Sequence, residues 1–191
     1  PLNHNVLRLA IRPARPMPYD AGQFMLVGIP GVPGYRGWSM ASYDKEAETL
    51  VFTVKLMPGG LASAWLADSA KVGDAVTLLG PLGKASFRPD RDAADLVCVA
   101  GGSGLAPILA ILERAHEAGH FSRHRADVFF GVRAFEDLYE TDRLLTFAVQ
   151  HPDHVALTMA FSETMPSPAE QGRLPGVTVA AGFVHEVMGQ S

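Results

Sequence analysis

Leu96-Val97-Cys98-Val99-Ala100-Gly101-Gly102-Ser103-Gly104-Leu105-Ala106-Pro107 is the stretch on which the fold turns. The apolar run over 96–100, rich in valine, is too short for a helix and reads as a buried strand. Three glycines then break the chain, and a helix is expected over about 107–117, with Pro107 in the first turn, where its missing N–H costs nothing. Strand, glycine turn and helix in that order open a parallel α/β unit. The rest of the second half keeps the rhythm. Strands are expected at 127–132 and 154–161, and helices at 136–150 and 182–188. Alternation of this kind predicts an open, doubly wound parallel sheet.

The residues before 88 have a different grammar. Short apolar runs at 6–11 and 24–29 flank a patch with Pro13, Pro16, Pro18 and Gly22, and further strand candidates lie at 36–42, 49–57 and 75–80. Leu50, Phe52, Val54 and Leu56 alternate with Val51, Thr53 and Lys55, which puts the larger apolar side chains on one face. One helix, expected at 61–68, follows Pro58-Gly59-Gly60. Strands at this spacing with glycine and proline between them predict a small antiparallel barrel. The polar stretch 88–95 divides the chain into a barrel over 1–90 and an α/β domain over 95–191.

Composition narrows the function. The chain has 191 residues, 48% hydrophobic and 19% charged, a globular mixture. A net charge of −4 gives no electrostatic reason for a nucleic-acid partner. The apolar stretch 96–112 is interrupted by glycines and Pro107, so it is no membrane span of about 20 apolar residues. The first residues carry neither a basic region nor an apolar core of a signal peptide, and a cytoplasmic address is expected. Cys98 is the single cysteine, so this chain closes no internal disulfide and holds no four-thiolate cluster.

Three motifs carry candidate chemistry. Glycines at 101, 102 and 104 let a backbone approach a pyrophosphate, and N–H groups at a helix start favour its charge. Pro107 stands where the usual dinucleotide pattern has its third glycine, and a tight turn with no ligand reads the same way. In the barrel half, Tyr35-Arg36-Gly37-Trp38-Ser39-Met40 places Arg36, Trp38 and Met40 on one strand face. A guanidinium can hold a diphosphate, an indole can cover a flat cofactor, and a hydroxyl can hydrogen-bond a redox-active heteroatom. A barrel strand with a packed Trp and a solvated Arg gives the same letters. Gly59, Gly60 and Ser63 form a second glycine turn before a helix, either an anion site or a plain turn with its cap.

Taken together and in this order, the motifs resemble the ferredoxin–NADP reductase superfamily over nearly the whole chain. The resemblance implies an FAD site in which Arg36 contacts phosphate, Trp38 lines the isoalloxazine with Met40 on the same strand, and Ser39 sits near N5 as the catalytic hydrogen-bond donor. It implies a second flavin-phosphate contact at Gly59, Gly60 and Ser63, which points to FAD rather than FMN. Gly80-Pro81-Leu82-Gly83 resembles the turn that closes the flavin domain, and Gly102, Ser103, Gly104 and Pro107 resemble the nicotinamide-pyrophosphate loop. Gly131-Val132-Arg133 followed by Asp137-Leu138-Tyr139 is similar to the reductase components of bacterial aromatic-ring oxygenases. Glu163, after Phe161-Ser162, would repel a 2′-phosphate and accept from a ribose hydroxyl, so NADH is expected, while Arg133 keeps NADPH open.

The implied activity is hydride transfer from NADH to FAD and single-electron release to an iron–sulfur centre. The 2Fe-2S cluster is expected on a segment or partner outside this chain, a ferredoxin-type domain or an oxygenase component. A flavohaemoglobin reductase part and a non-catalytic nucleotide-binding module are the rival readings. The family also has an earlier barrel strand and a final βα unit with a Cys-Gly-Pro turn, so the chain is expected to be truncated at both ends. No metal site is expected: His116, His120 and His124 recur every four residues, but Gly119 is expected to end the helix and leave them on a polar surface. Trp65 is expected in the core and Cys98 as a buried, inert thiol.

Overall fold

Residues 1–190 are described by a computed structural model. In the first half, β1 (Val6–Ile11) pairs antiparallel with β4 (Leu50–Lys55), with Val6 opposite Lys55 and Ile11 opposite Leu50. β2 (Phe24–Gly28) lies between β3 (Tyr35–Ser39) and β5 (Thr77–Leu82), antiparallel to both. Period-two alternation decides what enters the core. Met25 and Val27 of β2 and Leu50, Phe52 and Val54 of β4 turn inward and, with Met40, fill the space between the two sheets. Burying each of these side chains stabilises the barrel by roughly 1.5–3 kcal/mol. Thr53 faces the other way and is buried as well, because the second half covers that side of β4.

The second half is a parallel sheet in the order β6 (Leu96–Gly101), β7 (Ala126–Val132), β8 (Val155–Phe161), β9 (Val177–Ala181). Leu105, Leu109 and Leu112 recur at helical spacing along α2 (Leu105–Glu117) and are fully buried in a core with Cys98, Val128, Phe130, Leu157 and Met159. α3 (Thr141–Gln150) adds Leu144 and Phe147. The fold class read from sequence, an antiparallel barrel followed by an open parallel α/β sheet, is the one observed. No helix among the described residues is long and apolar enough to cross a membrane.

Several local expectations need correction. The helix expected at 136–150 is broken: residues 135–137 form a 3-10 turn and α3 starts at Thr141, because Glu140 adopts a left-handed φ of 53°. The expected 61–68 helix is α1 (Leu61–Ala64) followed by a π-turn over Trp65–Ser69. That turn leaves Trp65 half-buried outside the barrel core, where Leu66 packs instead. β9 was not expected; its residues are half-exposed at the sheet edge and give a weak apolar signal. The short α4 (Pro168–Gln171) was not expected either, although Ser167 and Glu170 make a reciprocal capping box there.

Of the three histidines, His116 is exposed and His124 half-exposed, as a polar surface requires, and His120 alone departs from that expectation. Gly119 does end α2, with a left-handed φ of 67°, but it turns His120 inward against Phe87, with its Nε2 3.1 Å from the Ala94 carbonyl. His116 Nδ1 meets His151 Nε2 at 2.8 Å. The halves are joined by charge: Arg143 donates to the Ala41 carbonyl at 2.8 Å and pairs with Glu113, whose carboxylate accepts from the Tyr43 N–H at 2.8 Å. Arg8 of β1 reaches Glu140 at 3.5 Å.

Candidate functional site: two adjoining clefts

The strand-to-helix glycine turn comes out at the carboxyl edge of the sheet, against the barrel. Two clefts open on either side of it. The first, about 330 Å³, is lined by Gly37, Trp38 and Ser39 of β3, Thr53, Val54 and Lys55 of β4, Met57, and Ser103, Gly104, Ala106 and Pro107. The second, about 190 Å³, brings together Gly101–Ser103, Gly131–Arg133, Asp137, Tyr139, Ser162 and Gly182–Val184, with Asn5, Val6 and Lys55 from the barrel. Ser103 and Lys55 belong to both walls.

The glycines show what these clefts are shaped for. Gly102 has a φ of 50°, a conformation that costs a side-chain-bearing residue energy. A Cβ at Gly101, Gly102 or Gly104 would meet no protein atom within 4 Å. Protein packing therefore gives no reason for three glycines here, whereas close approach of a ligand to the backbone does. Gly131 is the opposite case, since a Cβ there would strike Val184 of α5 (Val184–Met188) at 2.7 Å.

Of the residues singled out from sequence, Trp38, Ser39, Ser103, Gly104 and Pro107 meet in the first cleft, and Gly102, Ser103 and Arg133 in the second. Met40 stands apart. It lies beyond the end of β3, fully buried in the barrel core, so its side chain does not share the cleft with Trp38. Arg36 folds back on its own loop, its Nη1 donating to the carbonyls of Pro33 (3.3 Å) and Tyr35 (3.1 Å), and lines neither cleft. Gly59 takes a left-handed φ of 72°, Gly60 closes a turn on Met57, and the Ser63 hydroxyl accepts from the Met57 N–H at 2.8 Å. That turn stands at the rim of the first cleft, which Met57 lines. Arg133 is held in the second cleft by Asp137 at 3.4 Å. Glu163 is exposed, one residue beyond Ser162, with its N–H donating to the Arg133 carbonyl.

Sequence reading missed Lys55 and Phe183, and it quoted Asp137 and Tyr139 only as part of a family motif, without a place in the site. Lys55 reads in sequence as one more alternating strand residue, and only the register that sets it opposite Val6 brings it to the junction of the clefts. Phe183, 58% exposed, stands on the rim of the second cleft. Cys98 is buried and touches neither cleft, and burial pushes its thiol up to about 11, which keeps it protonated and inert.

Comparison with known proteins agrees with this geometry. Residues 2–87 match the oxidoreductase FAD-binding domain family, and residues 98–184 match the oxidoreductase NAD-binding domain family. The chain belongs to the ferredoxin–NADP reductase superfamily. It is 34% identical over 189 residues to the reductase component of phenol 2-monooxygenase from Pseudomonas sp. (strain CF600), covering 97% of this chain and 49% of that relative. It superposes on the Amycolatopsis reductase GcoB with a TM-score of 0.84 and 29% identity, over 100% of this chain and 54% of that one. The ferredoxin reductase of carbazole 1,9a-dioxygenase gives a TM-score of 0.79 at 27% identity, over 100% and 53%. The chain thus spans about half the length of the curated relatives it matches.

Proposed function

We propose that this chain is the cofactor-binding core of an FAD-dependent NADH reductase that passes electrons singly to an iron–sulfur centre. Residues 1–90 hold FAD and residues 95–191 hold NADH, and the native protein works in the cytoplasm. The carrying observation is that the two clefts adjoin at Ser103 and Lys55, so ligands seated in them would be neighbours. Bound flavin supplies the chemistry, taking a hydride and giving its electrons up one at a time. The chain's own residues supply position. Trp38, whose ring lies 6.1 Å from that of Phe52 in the barrel core, also borders the flavin cleft. Ser39, at the end of β3, places a hydroxyl on the same wall to hydrogen-bond the reacting edge of the flavin. Gly102 to Gly104 bring backbone N–H groups to the pyrophosphate, and Lys55 and Arg133 offset its charge. Glu163 disfavours a 2′-phosphate. Arg36 reaches the flavin phosphates only after leaving its two local carbonyl partners.

The relatives are named as reductase components of oxygenase systems. The partner we propose is a ferredoxin-type iron–sulfur domain or an oxygenase component carrying one. Anaerobic titration of the complete flavin-loaded polypeptide with NADH and, separately, NADPH is the test. Bleaching of the flavin absorbance by NADH at far lower concentration than by NADPH is expected. A protein that binds no flavin, or flavin that neither nucleotide bleaches, would sink the reading.

A further inference from the structure

Tyr139 is the one aromatic residue of the second cleft that is fully enclosed, only 3% exposed, with its ring edge-on to Phe130. Its hydroxyl donates to the Gly102 carbonyl at 2.9 Å. That carbonyl also accepts from the Leu105 N–H at the start of α2, so both of its lone pairs are engaged. On the barrel side the hydroxyl faces Thr53 of β4, which lines the first cleft. The Thr53 contact falls short of hydrogen-bond geometry, and its Oγ1 is buried without a partner among the described residues. Burial raises the phenol's pKa, so the hydroxyl remains protonated and a donor at any physiological pH. A buried donor aimed at a loop carbonyl is not needed to fill space, since a phenylalanine would pack there equally well.

Peptide geometry gives the arrangement its consequence. The C=O and N–H of one trans peptide unit point in opposite directions. With the Gly102 carbonyl bonded to Tyr139, the Ser103 N–H of the same peptide is turned the opposite way, and Ser103 itself borders both clefts. Gly102 carries no side chain, and a Cβ there would meet no neighbour within 4 Å, so this carbonyl is tied by the Leu105 N–H and the Tyr139 hydroxyl rather than by side-chain packing.

Building on the reading that this cleft takes NADH, we propose that Tyr139 is a positioning residue whose hydroxyl locks the Gly102–Ser103 peptide with its N–H presented to the nucleotide pyrophosphate. The Tyr139→Phe variant of the complete flavin-loaded polypeptide tests this. Three quantities are compared with the unmodified protein: the NAD⁺ dissociation constant by calorimetry, the rate of flavin bleaching by NADH in stopped flow, and the thermal midpoint. NAD⁺ binding weaker by about tenfold is expected, with the limiting bleaching rate at saturating NADH changed less than affinity. The flavin absorbance spectrum and the thermal midpoint should stay near those of the parent, because ring packing is kept. Unchanged NAD⁺ affinity in a variant whose parent is bleached by NADH overturns the role of Tyr139 alone. Loss of flavin or of the thermal midpoint also overturns it, by showing that the hydroxyl serves folding. A parent protein that NADH does not bleach overturns the functional reading underneath.

Discussion

Gly131 and Val184 offer a sharp test of how the nucleotide cleft is built. A Cβ on Gly131 would lie 2.7 Å from the Val184 Cβ and 3.1 Å from its Cγ1. Carbon pairs rest at about 3.5–4.0 Å, so α5 must withdraw by roughly an ångström to admit even one methyl group. Overpacking of that size costs about 1–3 kcal/mol. For a chain of this length it lowers the thermal midpoint by roughly 2–12 °C. The obstacle is the Val184 side chain from its Cβ outward, so Val184→Gly should create the room that Gly131→Ala needs. A double-mutant cycle in the complete polypeptide, read by urea denaturation, should give a coupling of about 1 kcal/mol or more, with Gly131→Ala nearly harmless beside Val184→Gly. NAD⁺ affinity should fall in the Gly131→Ala single variant, because Val184 and Phe183 line the same cleft. The reasoning is refuted if Gly131→Ala costs the same in both backgrounds to within about 0.5 kcal/mol.

Two further outcomes are expected. His120 is held below the ordinary histidine range, chiefly by burial and next by the neighbouring His124, with the Ala94 carbonyl and Asp95 opposing. A depressed folded-state pKa means that the unfolded chain binds the extra proton first, so this contribution to stability is whole above about pH 6.5 and is lost as pH falls. Urea midpoints should drop between pH 7 and pH 5, and His120→Gln should flatten that slope; an equal slope in the variant would show that other groups cause it. Glu163→Arg should raise the preference for NADPH over NADH by about 10- to 100-fold in kcat/KM, since a repulsive carboxylate is exchanged for a phosphate-binding fork. A ratio that stays put would mean that Glu163 lies out of reach of the ribose.

The parts of the fold legible in sequence were those fixed by local pattern. The 96–107 stretch gave strand, turn and helix because buried valines, glycines and Pro107 all point the same way, and β4 declared its inward face through Leu50, Phe52 and Val54. What stayed hidden depends on partners distant in the chain. The break at Glu140 follows a single left-handed residue whose carboxylate is tied to Arg8 and Arg143, and no periodicity records such ties. Met40 continues the Arg36–Trp38 alternation on paper, yet the chain leaves the strand at Ser39 and the barrel interior claims its side chain. Lys55 gains its place only when the two halves close on each other, and Tyr139 only when the chain after β7 returns to the glycine turn at Gly102. His120 was misread because a helix-wheel argument stops at Gly119, and the packing partner beyond it, Phe87, belongs to the barrel half.

The shared walls have a consequence for anyone who would recombine this protein. Asn5, Val6 and Lys55 of the barrel border the nucleotide cleft, while Ser103, Gly104, Ala106 and Pro107 of the α/β half border the flavin cleft. A chimera joined in the polar stretch 88–95, with its second half taken from an NADPH-using reductase, would import a new glycine loop and a new ribose pocket. It would still keep the old Lys55 and the old amino-terminal strand as two sides of that pocket. Nucleotide preference in such hybrids should therefore be a property of the pair of parents, and exchanging residues 5, 6 and 55 together with the second half is the design that moves a whole site.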